Sequence, residues 1–118
     1  MNGVDALAEL RERLRQFAAA RDWQQFHAPK NLAMALSVEA AELMEHFQWL
    51  SEEASRHLSA DDLARVREEL ADVLLYLVRL ADELGVNLAA AARDKIELNE
   101  RKYPVDKARG SSRKSTDL

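Results

Sequence analysis

The sequence predicts an all-α protein, and three observations carry that expectation. Ala, Leu, Glu and Arg dominate a 118-residue chain with only three glycines and two prolines, too few turn-formers for a sandwich or barrel. Apolar residues recur at spacings of three and four over long stretches, the helical period. Capping and stop residues stand where those stretches begin and end. The length suits one domain, and 47% apolar with 32% charged residues is a globular composition.

The first helix is expected from Val4 to Arg21, where Leu7, Leu10, Leu14, Phe17 and Ala18 form one stripe that reads as core. The loop WQQFHAPKN follows, with Pro29 as punctuation and Asn31 as the N-cap of the next helix. That second helix is expected over Leu32–Leu50, and Ser51 with Glu52 and Glu53 starts a short extra turn. Ser59 or Asp61 caps a third helix, which runs to about Leu84 and stops at Gly85, a favourable residue for a left-handed helix end. Asn87 caps a fourth, ending near Tyr103 because Pro104 disfavours the helical conformation before it. The expected architecture is a bundle of about four helices over residues 1–106, with a basic, flexible tail over 107–118.

Several function classes fall away at once. With no cysteine, disulfide scaffolds, zinc fingers, iron–sulfur clusters and thiol nucleophiles are excluded. No apolar run approaches the ~20 residues of a membrane span, and no signal peptide is apparent, so a cytoplasmic protein is expected. The net charge is −4, but residues 107–118 carry +3, so residues 1–106 carry −7. An acidic body disfavours duplex nucleic acid as a partner. The basic tail reads either as a disordered end or as a segment that folds over a small polyanion.

Helices two and three are unusually apolar. Across Leu32–Met44 only Ser37, Glu39 and Glu42 are polar, and across Leu70–Ala81 only Asp72 and Arg79 are charged. Such helices belong in the middle of a bundle or at an interface with another copy of the chain.

The same two helices hold carboxylates where carboxylates are expensive. Acidic pairs three residues apart also occur as Glu9/Glu12, Asp94/Glu97 and Glu97/Glu100, but those lie among other charges on solvated faces. Glu39/Glu42 and Glu69/Asp72 stand in or beside apolar stretches. An unpaired buried carboxylate costs several kcal/mol, so it survives when paired, protonated or metal-bound. Two readings stay open from spacing alone. Four carboxylates converging from two antiparallel helices make a hard-oxygen site for magnesium or manganese; alternatively, Arg65, Arg67 or Arg79 bridges a polar seam. A di-iron bundle is excluded, because the residues three before His27, His46 and His57 are Gln24, Leu43 and Ala54, none of them the required glutamate.

Aromatic residues cluster near the loops: Trp23, Phe26, His27, Phe47 and Trp49. Trp23 and Trp49 can stack on a flat ring, as nucleobases are commonly held, whereas Phe17 and Phe47 read as core. Tyr76 follows Asp72 by one turn and shares its face. Lys95, Asn99 and Lys102 form a stripe on helix four, either solvated or phosphate-binding.

Taken together, RDWQQFHAPKNL (Arg21–Leu32), VEAAELMEHFQW (Val38–Trp49), EELADVLLYLVRLA (Glu68–Ala81), KIELNERKYP (Lys95–Pro104) and RGSSRKSTDL (Arg109–Leu118) resemble the all-α nucleoside triphosphate pyrophosphohydrolases, the MazG-like group, and most closely their dCTP pyrophosphatase branch. The resemblance implies a dimer or dimer of dimers that hydrolyses dCTP, or a related or modified dNTP, to monophosphate and pyrophosphate. It implies magnesium, with manganese as an alternative, on Glu39, Glu42, Glu69 and Asp72, and Glu39 or Glu42 as the catalytic base. Trp23, Phe26, His27, Trp49 and Tyr76 would line the base and sugar pocket. Lys95, Asn99, Lys102 and Tyr103 would hold the phosphate chain, with Arg109 and Lys114 of the tail closing over it. Val38 stands where the broader family often has a glutamate, and Leu14 and Ser115 replace expected polar or aromatic residues, which points to relaxed base selectivity. The competing expectation is a helical scaffold or nucleotide sensor without turnover.

Overall fold

The computed structural model describes residues 5–118, and every regular element among them is helical. The predicted start at Val4 lies outside the described residues. The chain divides into two compact units, Met1–Val86 and Asn87–Leu118.

The first unit contains α1 (Ala6–Ala20), α2 (Pro29–Glu45), the single-turn α3 (Glu52–Ser55) and α4 (Ala60–Glu83). Helix α4 packs against both α2 and α1. The capping expectations hold on α4: Ser59 Oγ accepts from the Asp62 amide, and Gly85 takes a left-handed φ of +68° just past the end. Ser51 likewise caps α3 through the Ala54 amide.

Helix α2 departs from expectation at both ends. It begins at Pro29, whose missing N–H costs nothing in a first turn. Asn31 is therefore not the cap; its side-chain amide donates instead to the Phe26 carbonyl, bracing the incoming loop. The helix ends at Glu45 rather than Leu50, and Phe47 to Leu50 continue as hydrogen-bonded turns.

Helices α2 and α4 run antiparallel. His27, just before α2, meets Arg79 near the end of α4. Glu39, further along α2, meets Glu69 and Asp72, further back on α4. The buried apolar residues among those described are few: Ala18, Leu32, Val66, Val78 and Ala81. Apolar side chains of both long helices remain exposed, among them Met34, Val38 and Met44 on α2 and Leu63, Leu70 and Leu74 on α4.

In the second unit, Asn87 Oδ1 accepts from the Ala90 amide and starts α5 (Leu88–Lys102), which stops at Tyr103 ahead of Pro104. A one-turn helix α6 (Val105–Ala108) and a 3-10 turn over Ser115–Asp117 complete the chain.

Candidate active site

Three of the four carboxylates singled out from the sequence come together in the groove between α2 and α4. One oxygen from each of Glu39, Glu69 and Asp72 lies within 4.8 Å of the others. The i, i+3 spacing of Glu69 and Asp72 puts both on the α4 face that meets α2, and the antiparallel register brings Glu39 opposite. Glu42, one turn beyond Glu39, is not part of this triad but borders it closely enough to affect the Glu39 carboxyl.

The electrostatics of the cluster are unbalanced. Burial first, then hydrogen bonding and repulsion from Glu42, with Glu69 and Asp72 adding, push the Glu39 carboxyl up to about 7. Oε2 of Glu39 and Oε2 of Glu69 are both buried with no hydrogen-bond partner among the described residues, an arrangement that proteins avoid unless something else satisfies the atoms. Two of the three arginines that offered an alternative are engaged elsewhere, and the third, Arg67, forms no ion pair among the described residues. Arg65 pairs with Asp62 at 3.4 Å, and Arg79 pairs with Asp82 and Glu83. Among the described residues, no Lys or Arg forms an ion pair with the cluster. Opposite oxygens around magnesium sit about 4 Å apart, and hard carboxylate donors are what such a cation prefers. The orphaned oxygens and the donor set therefore fit a divalent cation held by Glu39, Glu69 and Asp72, with Glu42 at its edge.

Next to this cluster is a cavity of about 210 Å³, lined by Leu14, Phe17, Ala18, Trp23, His27, Asp72, Leu75, Tyr76 and Arg79. A cavity of roughly 150 Å³ holds a benzene ring, so the space admits one planar heterocycle. Helix α1 contributes Leu14, Phe17 and Ala18 at helical spacing, and α4 contributes Asp72, Leu75, Tyr76 and Arg79. Asp72 belongs to both the cavity wall and the carboxylate cluster. Phe17 is thus not the core residue its stripe suggests: at 45% exposure it faces an open cavity.

The loop between α1 and α2 is built to hold Trp23 over this space. Asp22 adopts a left-handed φ of +52°, which aspartate tolerates better than most residues. Gln25 Nε2 donates to the Asp22 carbonyl and carboxylate, and the Trp23 amide reaches back to the Ala18 carbonyl. The indole then meets Phe17 edge-to-face at 5.6 Å, while the Arg21 guanidinium covers the Phe17 ring 3.7 Å from its centroid.

Of the expected base-pocket residues, Trp23, His27 and Tyr76 line the cavity. Phe26 and Trp49 do not; Trp49 is 88% exposed on the turns after α2, because α2 ends five residues early and releases it from the helix. Lys95, Asn99 and Lys102 are exposed on α5, Tyr103 is its C-cap, and Arg109 and Lys114 are exposed beyond α6. Leu14, the departure noted in the sequence, falls on the cavity wall.

Sequence reasoning missed a second polar network at the C-terminal end of α4. The Arg79 side chain is buried, and its Nε donates to Nδ1 of His27 at 3.2 Å. Its terminal nitrogens donate to Asp82 (3.1 Å) and Glu83, and Arg15 from α1 grips Asp82 through two bonds of 2.6 and 2.8 Å. A signal was available, since Arg79 is the other charge in the apolar run around Asp72.

The family match settles what scaffold this is: residues 34–118 match the MazG-like family. The chain belongs to the MazG-like family. It is 46% identical over 114 residues, 95% of its length, to human dCTP pyrophosphatase 1, of which it covers 67%. The bovine dCTP pyrophosphatase 1 is equally similar, with 68% covered. Among solved structures, a pyrophosphatase from Archaeoglobus fulgidus aligns with a TM-score of 0.75 at 42% identity, over 88% of this chain and 97% of that one. The all-α class and the MazG-like recognition, in its dCTP pyrophosphatase branch, are thus both borne out. No helix among the described residues is long and apolar enough to cross a membrane.

Proposed function

We propose that this chain is a divalent-metal-dependent nucleoside triphosphate pyrophosphohydrolase that converts dCTP, or a related or modified dNTP, to the monophosphate and pyrophosphate. The observation that carries the reading is Asp72, which belongs at once to an uncompensated carboxylate cluster and to a ring-sized aromatic cavity. A nucleotide needs those two features side by side, one for phosphates and one for a base. The names of the relatives supply the substrate.

Glu39, Glu69 and Asp72, with Glu42 beside them, would hold magnesium or manganese, which when bound neutralises phosphate charge and acidifies an attacking water. Glu39 or Glu42, whichever the metal leaves free, would accept the proton of the attacking water. Trp23 and Tyr76 would pack on the base, and Leu14 on the cavity wall, in place of the polar or aromatic residue expected there, would relax base selectivity. The resemblance assigns the phosphate chain to Lys95, Asn99 and Tyr103, and closure of the tail to Arg109 and Lys114; the positive charge of Lys95, Lys102, Arg109 and Lys114 and the single-face spacing of Lys95, Asn99 and Lys102 support that assignment.

The chain works as a homo-oligomer in this reading. Leu63, Leu70 and Leu74 on α4, with Met34, Val38 and Met44 on α2, leave apolar surface in water that a second copy would cover.

The test is pyrophosphate release from a panel of dNTPs with magnesium, run beside Asp72→Asn. Turnover that favours cytosine nucleotides and disappears in the variant supports the proposal. A folded oligomer with no turnover on any nucleotide would overturn it in favour of a binding module.

A further inference from the structure

The Arg79 network is more elaborate than packing requires. A guanidinium buried to 6% exposure is costly unless its donors are spent, and here three of its nitrogens are spent on His27, Asp82 and Glu83. Two of those partners are carboxylates that neutralise charge. The third, His27, neutralises nothing, so the bond to it needs its own account.

That bond determines which nitrogen of His27 carries hydrogen. Arginine cannot act as an acceptor, so Nδ1 must be the bare, accepting nitrogen, and Nε2 must carry the proton. Nε2 has no partner among the described residues, and the ring lines the cavity. We infer that Arg79 is a positioning residue for ring recognition: it fixes His27 as the Nε2–H tautomer, so that the imidazole presents a donor of fixed position at the cavity wall to an acceptor of the bound heterocycle, a ring carbonyl oxygen or an unprotonated ring nitrogen. Arg15 and the Asp82 and Glu83 carboxylates keep the guanidinium oriented, and thus tie the recognition group to the α1–α4 packing. The inference rests on the ring-binding reading of the cavity given above. It adds the chemical feature that the ring must offer.

The experiment uses the full chain with magnesium at neutral pH. Long-range proton–nitrogen correlation spectra report the tautomer of each histidine, and His27→Gln identifies the His27 signals among those of His46 and His57. The expected result is a single His27 tautomer with Nδ1 bare, giving way to a mixture in Arg79→Lys, which keeps the charge for Asp82 and Glu83 but loses the fixed Nε–H. A wild-type His27 protonated on Nδ1, or a tautomer untouched by Arg79→Lys, overturns the inference.

Substrate recognition is read separately. A glutamine amide nitrogen can stand in for Nε2, and an asparagine amide stands nearer Nδ1. His27→Gln should therefore keep kcat/KM for dCTP within a few-fold, and His27→Asn should lose about tenfold, the worth of an ordinary hydrogen bond, carried by KM. Equal losses in both overturn donation to the substrate. If the wild type hydrolyses no nucleotide, the enzyme reading fails alone. Donation is then read from the Nε2–H resonance, which must move downfield when dCTP is added and otherwise refutes it.

Discussion

The middle of α4 and its C-terminal end treat charge in opposite ways. Around Glu69 and Asp72, carboxylates from two helices face one another, no Lys or Arg among the described residues pairs with them, two of their buried oxygens have no hydrogen-bond partner among those residues, and Glu39 is pushed up to about 7. Nearly three turns further on, Asp82 faces Arg15 and Arg79, and the hydrogen bond from Arg15 holds its carboxyl below the usual aspartate range. The helix is continuous and the residue types are the same. What differs is the compensation: Asp82 has Arg15 from α1 and Arg79 from its own helix, whereas Glu69 and Asp72 meet another carboxylate from α2. Compensated charge fixes structure; uncompensated charge marks where binding energy from outside is to be used.

The largest test of this contrast is to neutralise the uncompensated cluster. Glu39→Gln should abolish turnover, a loss on the order of a thousandfold, as expected when several kcal/mol of charge stabilisation go with a metal ligand. The same substitution should stabilise the metal-free protein, because it removes a repelled carboxylate. Urea midpoints with a chelator present read the second effect, and a lower midpoint would break the comparison.

At the compensated end the sign reverses. Arg79→Leu leaves Asp82 and Glu83 without their buried partner and should cost about 3 kcal/mol of unfolding free energy, measured by urea denaturation. Unchanged stability would mean that the network is decoration.

pH sharpens the contrast without mutation. Glu39 keeps its proton in the folded chain over a range, from about 4.5 to about 7, in which the unfolded chain has released it. Metal-free stability from this group therefore falls as pH rises through that window. Asp82 works the other way: its lowered affinity contributes stability above the ordinary aspartate value of 3.8, lost as pH falls below it. A divalent cation must displace the Glu39 proton, so magnesium should flatten the neutral-side decline and bind more weakly below pH 7. Unfolding midpoints between pH 2.5 and 7.5, with magnesium and with chelator, check both signs.

The smallest effect belongs to a third kind of carboxylate, neither strained nor buried. Asp62 pairs with Arg65 on the exposed side of α4, and Asp62→Ala should change stability by less than about 1 kcal/mol. A larger change in the same urea assay would show that exposure is not what separates these groups.

Much of the site was legible because it follows from cost. Glu39, Glu42 and Asp72 interrupt apolar runs, and a carboxylate there needs a reason, whatever the fold. The same rule applied to Arg79 would have marked it too, but it was weighed only as a bridge to the acids. Trp49 and Phe17 were harder. Whether an aromatic residue at a helix end is core, cavity wall or exposed depends on where the helix stops, and α2 stops early.

The sequence by itself determined the helical class, the ends of α4 and α5 and the pairing of carboxylates on one face. Those depend on neighbours within one turn: Ser59 and Asn87 cap their own helices, Gly85 permits its own left-handed φ, and residues three apart share a face by the pitch of the helix. Only the tertiary structure decided that Glu39 meets Glu69 and Asp72 while Arg79 meets His27, Asp82 and Glu83. Those encounters depend on the register at which α2 and the α1–α2 loop lie along α4, and register is set by side-chain packing between elements far apart in the chain. A shift of one turn would bring different residues of α2 and the loop against the same acids and the same arginine, with no change in any local signal.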